Sequence, residues 1–182
     1  MPVTIGKSPE NSFANPIGLL TDCHRRIEHF LAVLMRVAAE TRGNPLTDDQ
    51  RAALDTALRY FRDAAPKHTA DEEETLFPRL RAASDPEIIA ILEAVASLEA
   101  DHDQAARSHA EVDRLGMAWL ADGVLPEPEK ARFSELADEL QRLYAGHIEL
   151  EESRVFPAAA SLIAERDREG MGAEMAARRG LR

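Results

Sequence analysis

Apolar residues recur along this chain at threes, fours and sevens, the period of helices that bury one face. The first stretch follows Asn15-Pro16, a capping residue with proline at the first helical position. It carries Ile17, Leu20, Ile27, Leu31, Leu34 and Val37, and Gly43-Asn44-Pro45 ends it. Thr47-Asp48-Asp49-Gln50 has the form of a capping box and predicts a second helix with Leu54, Leu58, Phe61 and Ala65 inward. Pro66 should kink that helix just before His68, and Phe77-Pro78 should close it and open a short extension. Asp85-Pro86 is expected to start a third helix striped by Ile88, Ile91, Leu92, Val95 and Leu98, with Gly116 near its end and Asp122-Gly123 as its stop. Pro126-Glu127-Pro128 opens a fourth, with Phe133, Leu136, Leu140 and Leu143 inward, and Phe156-Pro157 repeats the earlier break.

No alternating run of β-branched residues argues for a strand. The expected fold is all-α: an up-down-up-down four-helix bundle with short connections, followed by a short C-terminal helical extension around Met171 and Met175. Residues 1–14 read as an N-terminal arm, 15–165 as one domain and 166–182 as a tail or short helix. Helices one and two, and helices three and four, form two hairpins that invite a pseudo-twofold relation.

Composition narrows the function classes. A formal net charge of −11 disfavours nucleic acid, whose phosphates want a basic stripe, and disfavours anionic membrane surfaces. No apolar run approaches the roughly 20 residues of a membrane span. The first residues carry no apolar signal core, and the single cysteine, Cys23, cannot form an internal disulfide. A cytoplasmic protein, monomer or homodimer, is the expectation.

The chemistry lies in a near repeat. His68-Thr-Ala-Asp-Glu72-Glu73 runs on to Phe77-Pro78, and His147-Ile-Glu-Leu-Glu151-Glu152 runs on to Phe156-Pro157 at the same offset. A further histidine lies 44 residues before the first motif, His24, and another 45 before the second, His102. Positions i and i+4 on a helix share a face, so His68 and Glu72 project together, as do His147 and Glu151. Faced across an antiparallel bundle, the four imidazoles and two carboxylates suit a pair of transition metals. Imidazole serves iron, zinc, copper or nickel, and carboxylates can bridge two centres. A single His-x-x-x-Glu is a weak signal; its repetition with matched upstream histidines is a strong one. Glu73, Glu74, Glu149 and Glu152 are expected on solvated helix faces.

These residues, with Leu76-Phe77-Pro78, Glu99-Ala-Asp-His102 and Val155-Phe156-Pro157, make the chain resemble the hemerythrin family, specifically its HHE cation-binding branch, over roughly residues 15–165. The resemblance implies a four-helix bundle around a non-haem diiron centre with an oxo or hydroxo bridge. By that resemblance His24, His68, His102 and His147 are terminal ligands, and Glu72 and Glu151 are bridging ones. Zinc or manganese fits the same ligands. The chain departs from oxygen-carrying hemerythrins at two places. Ala106 stands where those proteins have a fifth histidine. Glu152 stands five residues after the last-helix histidine, where they use aspartate, and Glu151, at i+4, is better aimed here.

Four further residues are candidates for the surroundings of the metals. His109 lies seven residues after His102, on nearly the same face but about 10 Å along the helix. Tyr144 and Tyr60 can project toward the site, where a phenol donates a hydrogen bond to a bound oxygen species. Glu28 lies four residues after His24. His29 is expected at the surface, Cys23 as a buried thiol, and Arg178-Arg179 as solubilising charges unless the tail docks. The implied function is binding of dioxygen, peroxide or nitric oxide in oxygen, redox or iron sensing. The alternatives are a diiron catalase- or peroxidase-like scavenger, and iron storage or delivery.

Overall fold

A computed structural model describes residues 11–83 and 88–181. Helix α1 (Pro16–Thr41) is capped by Asn15, whose side chain accepts from the Gly18 amide, and it ends where Arg42 and Gly43 turn left-handed. Helix α2 (Asp48–Asp63) starts on the expected capping box: Thr47 accepts from the Gln50 amide and Gln50 accepts from the Thr47 amide. The chain breaks at Ala64, two residues before Pro66, and α3 (Ala65–Asp71) carries His68 onward.

After α3 the helix widens into a π turn, Glu72–Leu76, before α4 (Phe77–Ala82). The same event recurs after α6 (Glu127–Leu150): a π turn spans Glu151–Val155 and α7 (Phe156–Leu162) follows. In each, the amide of the phenylalanine bonds a glutamate carbonyl five residues back, Phe77 to Glu72 and Phe156 to Glu151. The cause is the following proline. Pro78 and Pro157 have no amide hydrogen to donate, and their rings would press on a carbonyl one turn back; the extra residue in the turn relieves both. These π turns went unforeseen in the sequence, although both Phe-Pro breaks were placed correctly.

Helix α5 (Ile88–Asp122) is the longest, and Gly123, at φ 76°, stops it as expected. The proposed start of that helix at Asp85-Pro86 lies outside the described residues, as do residues 1–10 of the expected arm. Helices α1, α2, α5 and α6 form a closed ring, with α1 and α5 each between α2 and α6. Among the described residues there is no strand, and no helix is long and apolar enough to cross a membrane.

The apolar core falls into two clusters. One gathers Leu31, Leu34, Leu54, Leu58, Leu115, Trp119, Phe133 and Leu136; the other gathers Leu20, Leu76, Phe77, Leu80, Val95, Leu98, Val155 and Phe156. Along α1 the second cluster supplies Leu20, then comes His24, then the first supplies Ile27. Along α5 the order is Leu98, His102, Ala105. A polar layer therefore lies between two apolar ones, sealed from water on both sides.

The expected C-terminal extension is α8 (Glu165–Arg178), which lays Met171 and Met175, both fully buried, into the second cluster. It packs on α1, α3 and the first π turn. Gly172 sits so close to the Phe13 carbonyl that a Cβ there would lie 1.9 Å from its oxygen. Arg178 and Arg179 are not merely solubilising. Both reach the fully buried carboxylate of Asp71, Arg179 at 2.6 Å, and Arg178 also meets Glu74 and Thr75.

Candidate metal centre

All six residues expected to converge do so, and all six are buried: His24, His68, Glu72, His102, His147 and Glu151. They form two overlapping groups. His24, His68, Glu72 and Glu151 place one ligand atom each within 4.8 Å of one another, and so do Glu72, His102, His147 and Glu151. The two groups share both glutamates.

Glu72 divides its oxygens between the halves. Oε1 lies 3.1 Å from Nε2 of His68 and 3.9 Å from Nε2 of His24, while Oε2 lies 3.2 Å from Nε2 of His102. Oε2 of Glu151 lies 3.0 Å from Nε2 of His24 and 3.4 Å from Nε2 of His147. Each of the four rings thus presents Nε2 inward.

The outer nitrogens explain that orientation. Nδ1 of His24 meets Oε1 of Glu152 at 2.8 Å, and Nδ1 of His102 meets Oε1 of Glu73 at 2.8 Å. An ionised carboxylate only accepts, so Nδ1 carries a proton and Nε2 is the atom left to meet a cation, or a second proton, at the centre. This corrects the expectation that Glu73 and Glu152 merely face solvent. Each closes on the histidine of the opposite hairpin, so the second glutamate of each motif serves the other half. Glu74 and Glu149 are exposed. Asp101 approaches Nδ1 of His147 at 3.5 Å and was not singled out in the sequence; its place one residue before His102 was the only available hint.

The interior atoms test whether cations fit. Both oxygens of Glu72, both of Glu151 and Nε2 of His24 are buried with no aligned hydrogen-bond partner. Carboxylate oxygens and imidazole lone pairs facing one another at about 3 Å, sealed between apolar layers, are costly unless positive charge lies among them. The donor set of imidazole nitrogen and carboxylate oxygen is that of transition metals.

Without metal, protons take that role. Burial pulls His24 down, but Glu151 and Glu72 beside it win and raise it to about 10. Burial likewise opposes His102, and Glu72 and Glu73 raise it to about 9. Burial holds His68 below the ordinary imidazole range. For Glu72 burial acts upward, and His68, His102 and His24 nevertheless hold it well below the usual carboxylate range.

The four surrounding candidates separate. Tyr144 is buried, its ring edge toward His147 and its hydroxyl 3.2 Å from Nε2 of His109. His109 stacks on Phe61 and stands outside both four-residue groups. Tyr60 stacks on Phe30 and turns its hydroxyl to the Cys23 carbonyl at 3.5 Å. Glu28 is exposed and bonds Arg25, which also holds Glu152, so it reaches His24 only through two other side chains. His29 is exposed. Cys23 is buried, its thiol pushed up by burial, with the Arg26 guanidinium on its sulfur.

A ring of four antiparallel helices around a buried histidine–glutamate layer defines a cation-binding bundle. The family model described as Hemerythrin HHE cation binding domain matches residues 15–159, and the chain belongs to that family. Among curated proteins none matches it.

Proposed function

We propose that this protein holds two iron ions, one between His24 and His68 and the other between His102 and His147, bridged by Glu72 and Glu151. It uses them to bind a small oxidant or gas, dioxygen, peroxide or nitric oxide, in sensing or response. The observation that carries this reading is the division of Glu72, whose two oxygens face different histidine pairs. With Nδ1 of His102 already on Glu73, the remaining Nε2 meets the second Glu72 oxygen, which sets one carboxylate between two imidazole pairs. The ligand-bearing unit is residues 15–165, in a cytoplasmic setting.

An iron pair held this way supplies open coordination positions and electrons for a small oxidant. The protein's own contribution is to fix the ligands. Glu152 and Glu73 hold the His24 and His102 rings with Nδ1 protonated, which keeps each Nε2 free to coordinate. The two apolar clusters cover the layer on either side along the bundle. Ala106, whose side chain ends at Cβ, leaves the His102 side with one imidazole fewer than oxygen carriers have, which favours an exchangeable ligand there.

The test is stoichiometry followed by spectroscopy. Wild type should bind about two metals per chain, and Glu72→Ala/Glu151→Ala should lose them. Full occupancy in that double variant would end the reading. Ferrous loading without air, then oxygen, should give a reversible absorption band. Sustained oxygen evolution from peroxide, abolished by His68→Ala, would instead identify the scavenging enzyme. Ready transfer of iron to a chelator with neither response would identify storage or delivery.

A further inference from the structure

Beside the polar layer a solvent-open groove of about 340 Å³ lies between α2–α3 and α5, with Tyr144 of α6 at its base. Leu58, Phe61, Ala65 and Val112 form its apolar walls, and Ala106 and Ala110 line the α5 side. Alanines one helical turn apart leave that face of α5 bare of bulk, which is why space exists there. Of the six residues in the polar layer only His102 borders the cavity. At its rim, Arg62 and Asp113 pair at 2.5 Å, so the nearest cation is already matched.

Besides His102, Thr69 and the Arg62–Asp113 pair, two polar side chains line this largely apolar space, Tyr144 and His109, joined through hydroxyl and Nε2 at 3.2 Å. Nδ1 of His109 is buried and has no hydrogen-bond partner. Burial holds His109 down to about 4, so the ring is neutral near pH 7. A neutral imidazole has one N–H and one lone pair. If the Tyr144 hydroxyl donates to Nε2, the Nδ1 proton is unused. If Nε2 donates, the Tyr144 hydroxyl proton is unused. Nδ1 is itself sealed, so the donor open to an occupant is the Tyr144 hydroxyl, in the tautomer in which Nε2 of His109 donates to it and its own proton is left unused.

Size then selects the ligand class. The space, about 340 Å³ and open to solvent along Ala106 and Ala110, has room for a ring-sized molecule, well beyond a diatomic gas or peroxide. The apolar walls and the matched rim disfavour an ion.

We propose that this cavity binds a compact, uncharged, largely apolar organic molecule bearing one hydrogen-bonding group, which the Tyr144–His109 pair receives while the remainder lies against Phe61, Leu58 and Ala106. The occupant sits beside His102, at the edge of the layer proposed to hold metal. The site is built almost wholly from residues outside that layer and does not require metal to form.

Phenol and benzene are suitable probes, titrated into the full-length protein by NMR, once metal-free and once zinc-loaded. Phenol should saturate at one per chain in both forms, with shifts centred on Ala106, His109 and Tyr144. Tyr144→Phe should weaken phenol about threefold to tenfold and leave benzene unchanged, the signature of one lost hydrogen bond. Ala110→Leu, which narrows the space one turn away from the polar layer, should weaken both probes by about tenfold or more while helicity and metal content stay at wild-type values. Absence of saturation below about 10 mM phenol, or wild-type affinity in Ala110→Leu, would overturn the proposal. Failure to bind any metal would sink the iron reading and leave this one standing, because the metal-free titration reads the cavity alone.

Discussion

Nδ1 of His24 meets the Glu152 carboxylate at 2.8 Å, across 128 residues of chain. One hairpin supplies the imidazole and the other supplies the group that orients it. Glu73 does the same for His102 in the opposite sense. Removing such a carboxylate frees the ring to rotate and to change tautomer. Glu152→Ala and Glu73→Ala should each weaken metal binding about 10- to 100-fold in chelator competition, with full stoichiometry recovered at high metal. Unchanged affinity in both would mean these contacts do not tune the site.

Proton uptake by the metal-free site has a definite sign. His24, raised to about 10, and His102, raised to about 9, stand above the roughly 6.5 of an unfolded histidine. Their contribution to stability is fully present below pH about 6.5 and is lost as pH rises through about 9 and 10. The urea midpoint of the metal-free protein should therefore fall between pH 7 and pH 10. Metal must displace both protons, so loading at pH 7 should release about two per chain, measurable by calorimetry in buffers of different ionisation heat. Loading without proton release would contradict the protonated state of these rings.

Helix α8 is clamped to the site through Asp71, the residue before Glu72. Asp71 is fully buried and both Arg178 and Arg179 hold it. Arg178→Ala/Arg179→Ala would leave a buried carboxylate unpaired, at a cost of about 3 kcal/mol in urea unfolding. Adding Asp71→Asn removes the stranded charge and should restore part of that loss. Equal stability of wild type and the arginine double variant would show the clamp to be idle.

Two glycines make a matched pair. At Gly172 a Cβ would meet the Phe13 carbonyl at 1.9 Å, and backbone has little room to yield. Gly172→Ala should destabilise by roughly 1–3 kcal/mol and expose the 11–15 segment to protease. At Gly146, inside α6, nothing lies within 4 Å of the added carbon. Gly146→Ala should stabilise by about 0.5–1 kcal/mol, the ordinary helix preference for alanine. Thermal melts of the two variants should move in opposite directions.

Much of the molecule was legible before any coordinates. Asn15, Thr47 with Gln50, and Gly123 act on backbone within a few residues of themselves, so their roles could be read locally. The periodicity of Leu54, Leu58 and Phe61 marked a buried face in the same way, because a helix repeats its environment every three or four residues. The six converging side chains were legible for a different reason: the repeat wrote the same pattern twice, and two hairpins of one design bring like residues together.

What the chain order could not reveal is which distant groups meet. Glu73 and Glu152 look like solvated helix charges until the opposite hairpin is placed against them. The docking of Arg178 and Arg179 on Asp71 spans more than 100 residues and leaves no local trace. The π turns needed the three-dimensional path as well, since a proline announces a break but not how the backbone absorbs it. The groove by His102 is walled by α2, α3, a face of alanines on α5 and Tyr144, and empty space is a property of the assembled walls. Short-range rules of capping, periodicity and spacing therefore decided the helices and the candidate ligands. Tertiary packing alone decided their tautomers, their partners and the room left beside them, because those depend on contacts between residues that the chain keeps far apart.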